Sequence, residues 1–120
     1  MQRSARLSPL LLGLFVVASF GCAKEPAIAC TVTAPTECPD PAPRYGDIAP
    51  IIGKFCASPC HYGAPAGPWP LTDYDHVADW QDVVRDQILT CAMPPPEERS
   101  EITDAERTAI LTWIRCGFLP

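Results

Sequence analysis

Past residue 45, apolar side chains recur with helical spacing in three places. Ile48, Ile51, Ile52 and Phe55 fall at i, i+3, i+4 and i+7, the stripe of a short amphipathic helix. Asp47 is placed to cap it, and Pro50 sits in the first turn, where a missing amide is tolerated. Residues 74–89 carry the longest pattern, with Val77, Trp80, Val84 and Ile88 on one face and Asp79, Asp82, Arg85 and Asp86 largely elsewhere. The last opens on a capping box, Thr103-Asp104-Ala105-Glu106, continues through Ile110, Trp113 and Ile114, and meets Gly117, which is placed to end it.

Between these helices, residues 63–70 are rich in Gly and Pro and show no periodicity, and Pro94, Pro95 and Pro96 form a second rigid break. No internal repeat is visible. Nothing past residue 44 alternates apolar and polar residues as a strand would, so the pattern predicts an all-α domain of three main helices joined by long loops.

The N-terminus reads differently. Arg3 and Arg6 precede an apolar run over residues 7–20, followed by Gly21 and Cys22. That is the layout of a secretory signal sequence, and it is too short to span a bilayer comfortably. Cys22 after a small residue resembles the lipobox of bacterial lipoproteins, in which the cysteine is acylated and becomes the mature N-terminus. Ser19 and Phe20 depart from that pattern, which leaves ordinary cleavage after Ala27, Ile28 and Ala29 as the other route. By analogy with lipoprotein sorting, Ala23 points to the outer membrane.

The expected organisation is therefore a signal peptide over residues 1–21, a lipid-anchored tether over 22–44 and a folded domain over 45–120. The tether holds Pro26, Pro35, Pro39, Pro41 and Pro43 and few large apolar side chains. With 9 basic and 14 acidic residues the chain carries a net charge of −5, and loss of Arg3 and Arg6 with the leader makes it more acidic. That balance argues against nucleic acid and anionic headgroups and for a basic docking partner, although simple solubility explains it as well.

A domain this small, with many prolines, needs a disulfide, a metal or a cofactor beyond its hydrophobic core. The 7 cysteines offer all three. If Cys22 is acylated, the others fall into local pairs: Cys30 with Cys38 in the tether, Cys56 with Cys60 at the end of the first helix, and Cys91 with Cys116. A disulfide between Cys91 and Cys116 would tie the segment around Met93 to the last helix. Free buried thiols are a poor alternative in an oxidising compartment.

The segment Phe55-Cys56-Ala57-Ser58-Pro59-Cys60-His61 carries the most chemistry. Covalent haem attachment needs two thiols for the vinyl groups and an imidazole directly after the second. In its order of helix, C-x-x-x-C-H, loop, helix, Met-Pro-Pro and a closing helix with Trp113 and Ile114, the chain resembles small bacterial monohaem c-type cytochromes over residues 45–117.

The resemblance implies a cytochrome-c-like fold and one covalent haem c on Cys56 and Cys60, with His61 as proximal and Met93 as distal iron ligand. The chain departs from the usual motif by one residue, because Ala57, Ser58 and Pro59 stand where two residues are customary. The loop must then bulge or shift to keep both thiols at the vinyls.

Met93 would be the only methionine left after Met1 is lost with the leader. A methionine is ordinarily a core filler, but here Pro94 pushes it toward extended geometry and the proline run makes a stiff strap. His76 reads as a solvent-facing residue that could stand in for Met93. Trp80 and Trp113 read as core, and Trp69 as the better candidate for a propionate contact.

With both axial positions filled, the implied task is one-electron transfer outside the cytoplasm to an unidentified protein partner. The domain would be a carrier and not an enzyme, since no hydrolytic constellation or phosphate loop is present. Two other readings use the same residues. One is a disulfide-stapled binding or structural module in which Cys56 pairs with Cys60, and the other is a zinc or copper site on Cys56, Cys60 and His61 that lacks an evident fourth ligand.

Overall fold

The structure, a computed structural model, describes residues 31–58, 60–63, 69–95 and 102–120. The leader, its junction at Cys22, and Cys30 lie outside the described residues. As the pattern predicts, the domain is all-α. The helices are α1 (Tyr45–Ile52), α2 (Tyr74–Asp79), α3 (Gln81–Leu89) and α4 (Asp104–Arg115), and α1 runs directly into a π-helical segment, Gly53–Ala57.

α4 forms as its capping box requires. The Thr103 hydroxyl accepts the Glu106 amide at 3.2 Å, and the Glu106 carboxylate accepts the Thr103 amide at 2.8 Å. At its other end Gly117 takes φ +87°, which lets the Phe118 amide reach the Trp113 carbonyl at 2.9 Å. α1 starts earlier than expected. Arg44 is its N-cap, and Asp47 stands in the first turn with its carboxylate accepting the Arg44 amide at 2.8 Å. Asp47 thus closes the helix start from inside and is not the cap itself.

The long second pattern is two helices. Trp80, at φ −107° and ψ 13°, interrupts it, and α3 begins anew with the Val84 amide on the Trp80 carbonyl at 2.9 Å. A single non-helical residue hardly disturbs the spacing of Val77, Val84 and Ile88, so periodicity alone does not reveal the break.

The core is built from Ile48 and Ile52 of α1, Phe55, Val77 of α2, Ile88 of α3, and Ile110, Leu111, Trp113 and Ile114 of α4, which packs on both α1 and α3. Trp113 is wholly buried. Its ring N–H donates to the Leu119 carbonyl at 2.8 Å, and the same carbonyl takes the Tyr45 amide at 2.9 Å. The C-terminal tail is thereby pinned to the start of α1. Tyr45 and Tyr74 complete an aromatic cluster around Trp113 at centroid distances of 5.9 and 6.4 Å.

The cysteine pairing differs from expectation. Cys38 bonds to Cys116 with their Cα atoms 5.3 Å apart, and Cys91 is in a disulfide of its own. Neither Cys91 with Cys116 nor Cys30 with Cys38 is therefore a pair. The reason is that the described part of the proposed tether, residues 31–44, folds back onto the helices. Val32 packs against the core, Arg115 donates to the Thr36 carbonyl at 3.3 Å, and Thr31 hydrogen-bonds to Asp104. Proximity in sequence is a poor guide here because that return is a tertiary event.

Candidate functional site

The end of the first helix sets the site. An α-turn closes on the fourth residue back, but in Gly53–Ala57 the ladder widens: the Ser58 amide reaches the Gly53 carbonyl at 3.0 Å, five residues back. The next turn does the same, with the His61 amide on the Cys56 carbonyl at 2.9 Å and the Cys60 amide sharing it at 3.4 Å.

This geometry accommodates a spacer of three residues between Cys56 and Cys60. With two residues between the cysteines, the histidine amide would stand four after the first cysteine and close an α-turn. With three, it stands five after, and the π-type turn preserves the same bond.

His61 is oriented by the loop C-terminal to it. Its Nδ1 lies 3.0 Å from the Trp69 carbonyl oxygen, and a carbonyl only accepts, so Nδ1 carries the proton. That leaves the Nε2 lone pair for a ligand, the arrangement that metal-binding histidines commonly use. The Leu71 amide on the His61 carbonyl at 2.7 Å closes the loop a second time.

Cys56 and Cys60 are both unpaired thiols, Cys56 half-buried and Cys60 exposed. Burial, with a smaller contribution from the neighbouring Cys60, pushes the Cys56 thiol up to about 11, partly offset by the Arg107 cation. Cys56 is thus a protonated thiol at neutral pH.

These groups open on one cleft of about 330 Å³ whose lining includes Cys56, Cys60, His61, Trp69, Trp80 and Met93. Its walls are otherwise mainly apolar, with Leu71, Val83, Val84, Ile88, Pro94 and Pro95 also in the lining. Its volume falls within the roughly 300–1,000 Å³ of ligand sites. Met93 is 42% exposed, so the core-filler role for it is not what the fold uses.

The backbone of Met93 is held from two sides. Cys91 turns left-handed at φ 52°, and the Ala92 and Met93 amides both point back to the Gln87 carbonyl, at 3.0 and 3.3 Å. Arg107 Nη1 donates to the Met93 carbonyl at 3.2 Å.

The tryptophans and the second histidine divide between cleft, core and surface. Trp69 lies on the cleft, and Trp113 is core. Trp80, expected in the core, instead lines the cleft, its ring 5.3 Å from that of Trp69. His76 is exposed on α2, paired with Asp73 at 2.8 Å, and does not line the cleft.

Arg107 is not among the sequence-predicted site residues, although a signal for it exists. It stands three, four and seven residues before Ile110, Leu111 and Ile114, a cation in phase with the apolar stripe of α4. Among the described residues no cluster of three or more His, Cys, Asp or Glu is arranged to hold a metal ion. Comparison with protein families, with curated proteins and with solved structures found no match for this chain.

Proposed function

We propose that this chain is a monohaem c-type cytochrome, a one-electron carrier that works outside the cytoplasm. Cys56 and Cys60 would supply the thioether bonds, and His61 and Met93 the axial ligands. The observation that carries this reading is the convergence of two unpaired thiols, an imidazole with its Nδ1 already committed, and an exposed methionine on one apolar cleft.

Bound there, the group supplies reversible one-electron chemistry at iron, with a potential that Met/His ligation raises. The residues of the chain do the rest. Trp69 fixes the tautomer of His61 through its carbonyl, the π-turn sets the imidazole behind Cys56, and the apolar lining excludes water. The unpaired state of Cys56 and Cys60 favours this reading over the disulfide-stapled module.

The leader and Cys22 support export and a lipid anchor, with Ala23 suggesting the outer membrane. The acidic surface suits a basic redox partner.

Expression of the full chain in a host able to mature c-type cytochromes tests the proposal. Haem absorbance should stay with the polypeptide through denaturing electrophoresis, and should fall in Cys56→Ser and Cys60→Ser. A haem-free product with Cys56 and Cys60 joined in its peptide map would sink it. Fatty-acid labelling that disappears in Cys22→Ser tests the anchor.

A further inference from the structure

Arg107 is the one charged side chain buried among the described residues, at 3% exposure. It occupies a position of α4 where leucine or isoleucine would serve packing, and an ion withdrawn from water is costly unless hydrogen-bonded. Packing is thus a poor reason for its presence. Among its partners is the carbonyl of Met93, to which the guanidinium donates at 3.2 Å.

That bond matters because of the three residues after Met93. Pro94, Pro95 and Pro96 have no amide hydrogen, so the strap has no backbone donors through this run and must be held through its carbonyls. A carbonyl needs a donor from elsewhere, and a guanidinium offers five in a rigid fork. With the Met93 amide on the Gln87 carbonyl at 3.3 Å, the Met93 backbone is clamped between the end of α3 and the interior of α4. Arg107 is also close enough to Cys56 to favour its thiolate, so one cation serves the methionine side and the cysteine side of the cleft.

We infer that Arg107 is the positioning residue of the distal strap, holding Met93 so that its thioether competes successfully for the ligand position opposite His61. The inference rests on the haem-binding reading. A thioether is a weak ligand, so its hold depends on how well the strap is placed before it binds.

The test uses full-length, haem-loaded protein and imidazole as an external competitor for the distal position. Met93→Ala gives the reference state, in which the far-red band of sulfur-ligated ferric haem is lost. Arg107→Met should weaken that band and tighten imidazole binding about tenfold or more, the effect of losing one charge-assisted hydrogen bond. Arg107→Lys, which keeps the charge without the fork, should fall between, and gives the same readout if Arg107→Met does not accumulate. Ile110→Val serves as a control for lost packing alone and should lower the melting temperature without changing imidazole affinity.

Imidazole affinity in the Arg107 variants within twofold of the parent, with the band lost in Met93→Ala, would overturn the inference and leave the haem reading intact. A Met93→Ala variant that keeps the band would overturn the inference together with the assignment of Met93 as distal ligand, and a parent without covalent haem would overturn the haem reading as well.

Discussion

The amide of His61 donates to the carbonyl of Cys56, five residues earlier in the chain, at 2.9 Å. A histidine after a two-residue spacer would make that bond in an α-turn. Here the helix has already widened one turn upstream, at Gly53–Ala57, so the thiols and the imidazole are carried by two successive wide turns.

Breaking the first of these turns should therefore impair the site without touching its ligands. Ser58→Pro removes the donor to the Gly53 carbonyl and disfavours the helical conformation of Ala57, at a cost of about 3 kcal/mol. Covalent haem yield should drop several-fold in Ser58→Pro and stay at the parental level in Ser58→Ala. Equal yields would mean that the wide turn has no part in presenting the cysteines.

The two thiols should differ in reactivity in haem-free protein. The exposed Cys60 should be alkylated readily by iodoacetamide. Cys56, whose thiol is raised to about 11 mainly by burial, should react only as the pH approaches that value. The folded state holds this proton above the ordinary thiol range, where the unfolded chain has lost it. The contribution of this group is therefore complete below about pH 9 and is lost as the pH rises toward 11. Mass-resolved alkylation from pH 7 to 11 reads this directly, and early modification of Cys56 would contradict it.

The bond between Cys38 and Cys116 spans 78 residues of sequence. Closing a loop of that length limits the unfolded chain by about 4 to 5 kcal/mol in the chain-entropy account. Replacing both cysteines by serine should lower the denaturation midpoint by a corresponding amount, and peptide mapping of the parent should recover the two residues linked. A map joining Cys91 to Cys116 would refute the pairing.

Two tryptophans should separate stability from binding. Trp113 is fully buried and anchors the C-terminal tail, so Trp113→Ala should destabilise the domain by about 3–5 kcal/mol. Trp80 is 36% exposed and lines the cleft. Trp80→Ala should leave the melting temperature of haem-free protein within a few degrees of the parent but shift the absorbance of bound haem. Similar thermal losses for both would place Trp80 in the core after all.

Where the determinant is local, the chain announces it. Thr103 and Glu106 form their capping box from residues three apart, Gly117 supplies the left-handed turn that ends α4, and the apolar stripes of α1 and α4 turn inward because burial follows helical period. The segment from Cys56 to His61 carries its two thiols and its imidazole in near-neighbouring residues, and the fold leaves both thiols unpaired on the cleft that His61 also lines.

Other features depend on which distant segments meet, and for these the tertiary structure decides. Cys38 finds Cys116 because residues 31–44 fold back against α4, an event with no mark in cysteine spacing. Trp80 leaves the core because a one-residue break between α2 and α3 sets it beside Trp69, and apolar periodicity is nearly blind to such a break. Arg107 stands in phase with the apolar stripe of α4, but that its guanidinium meets the carbonyl of Met93, 14 residues away, is decided by the fold.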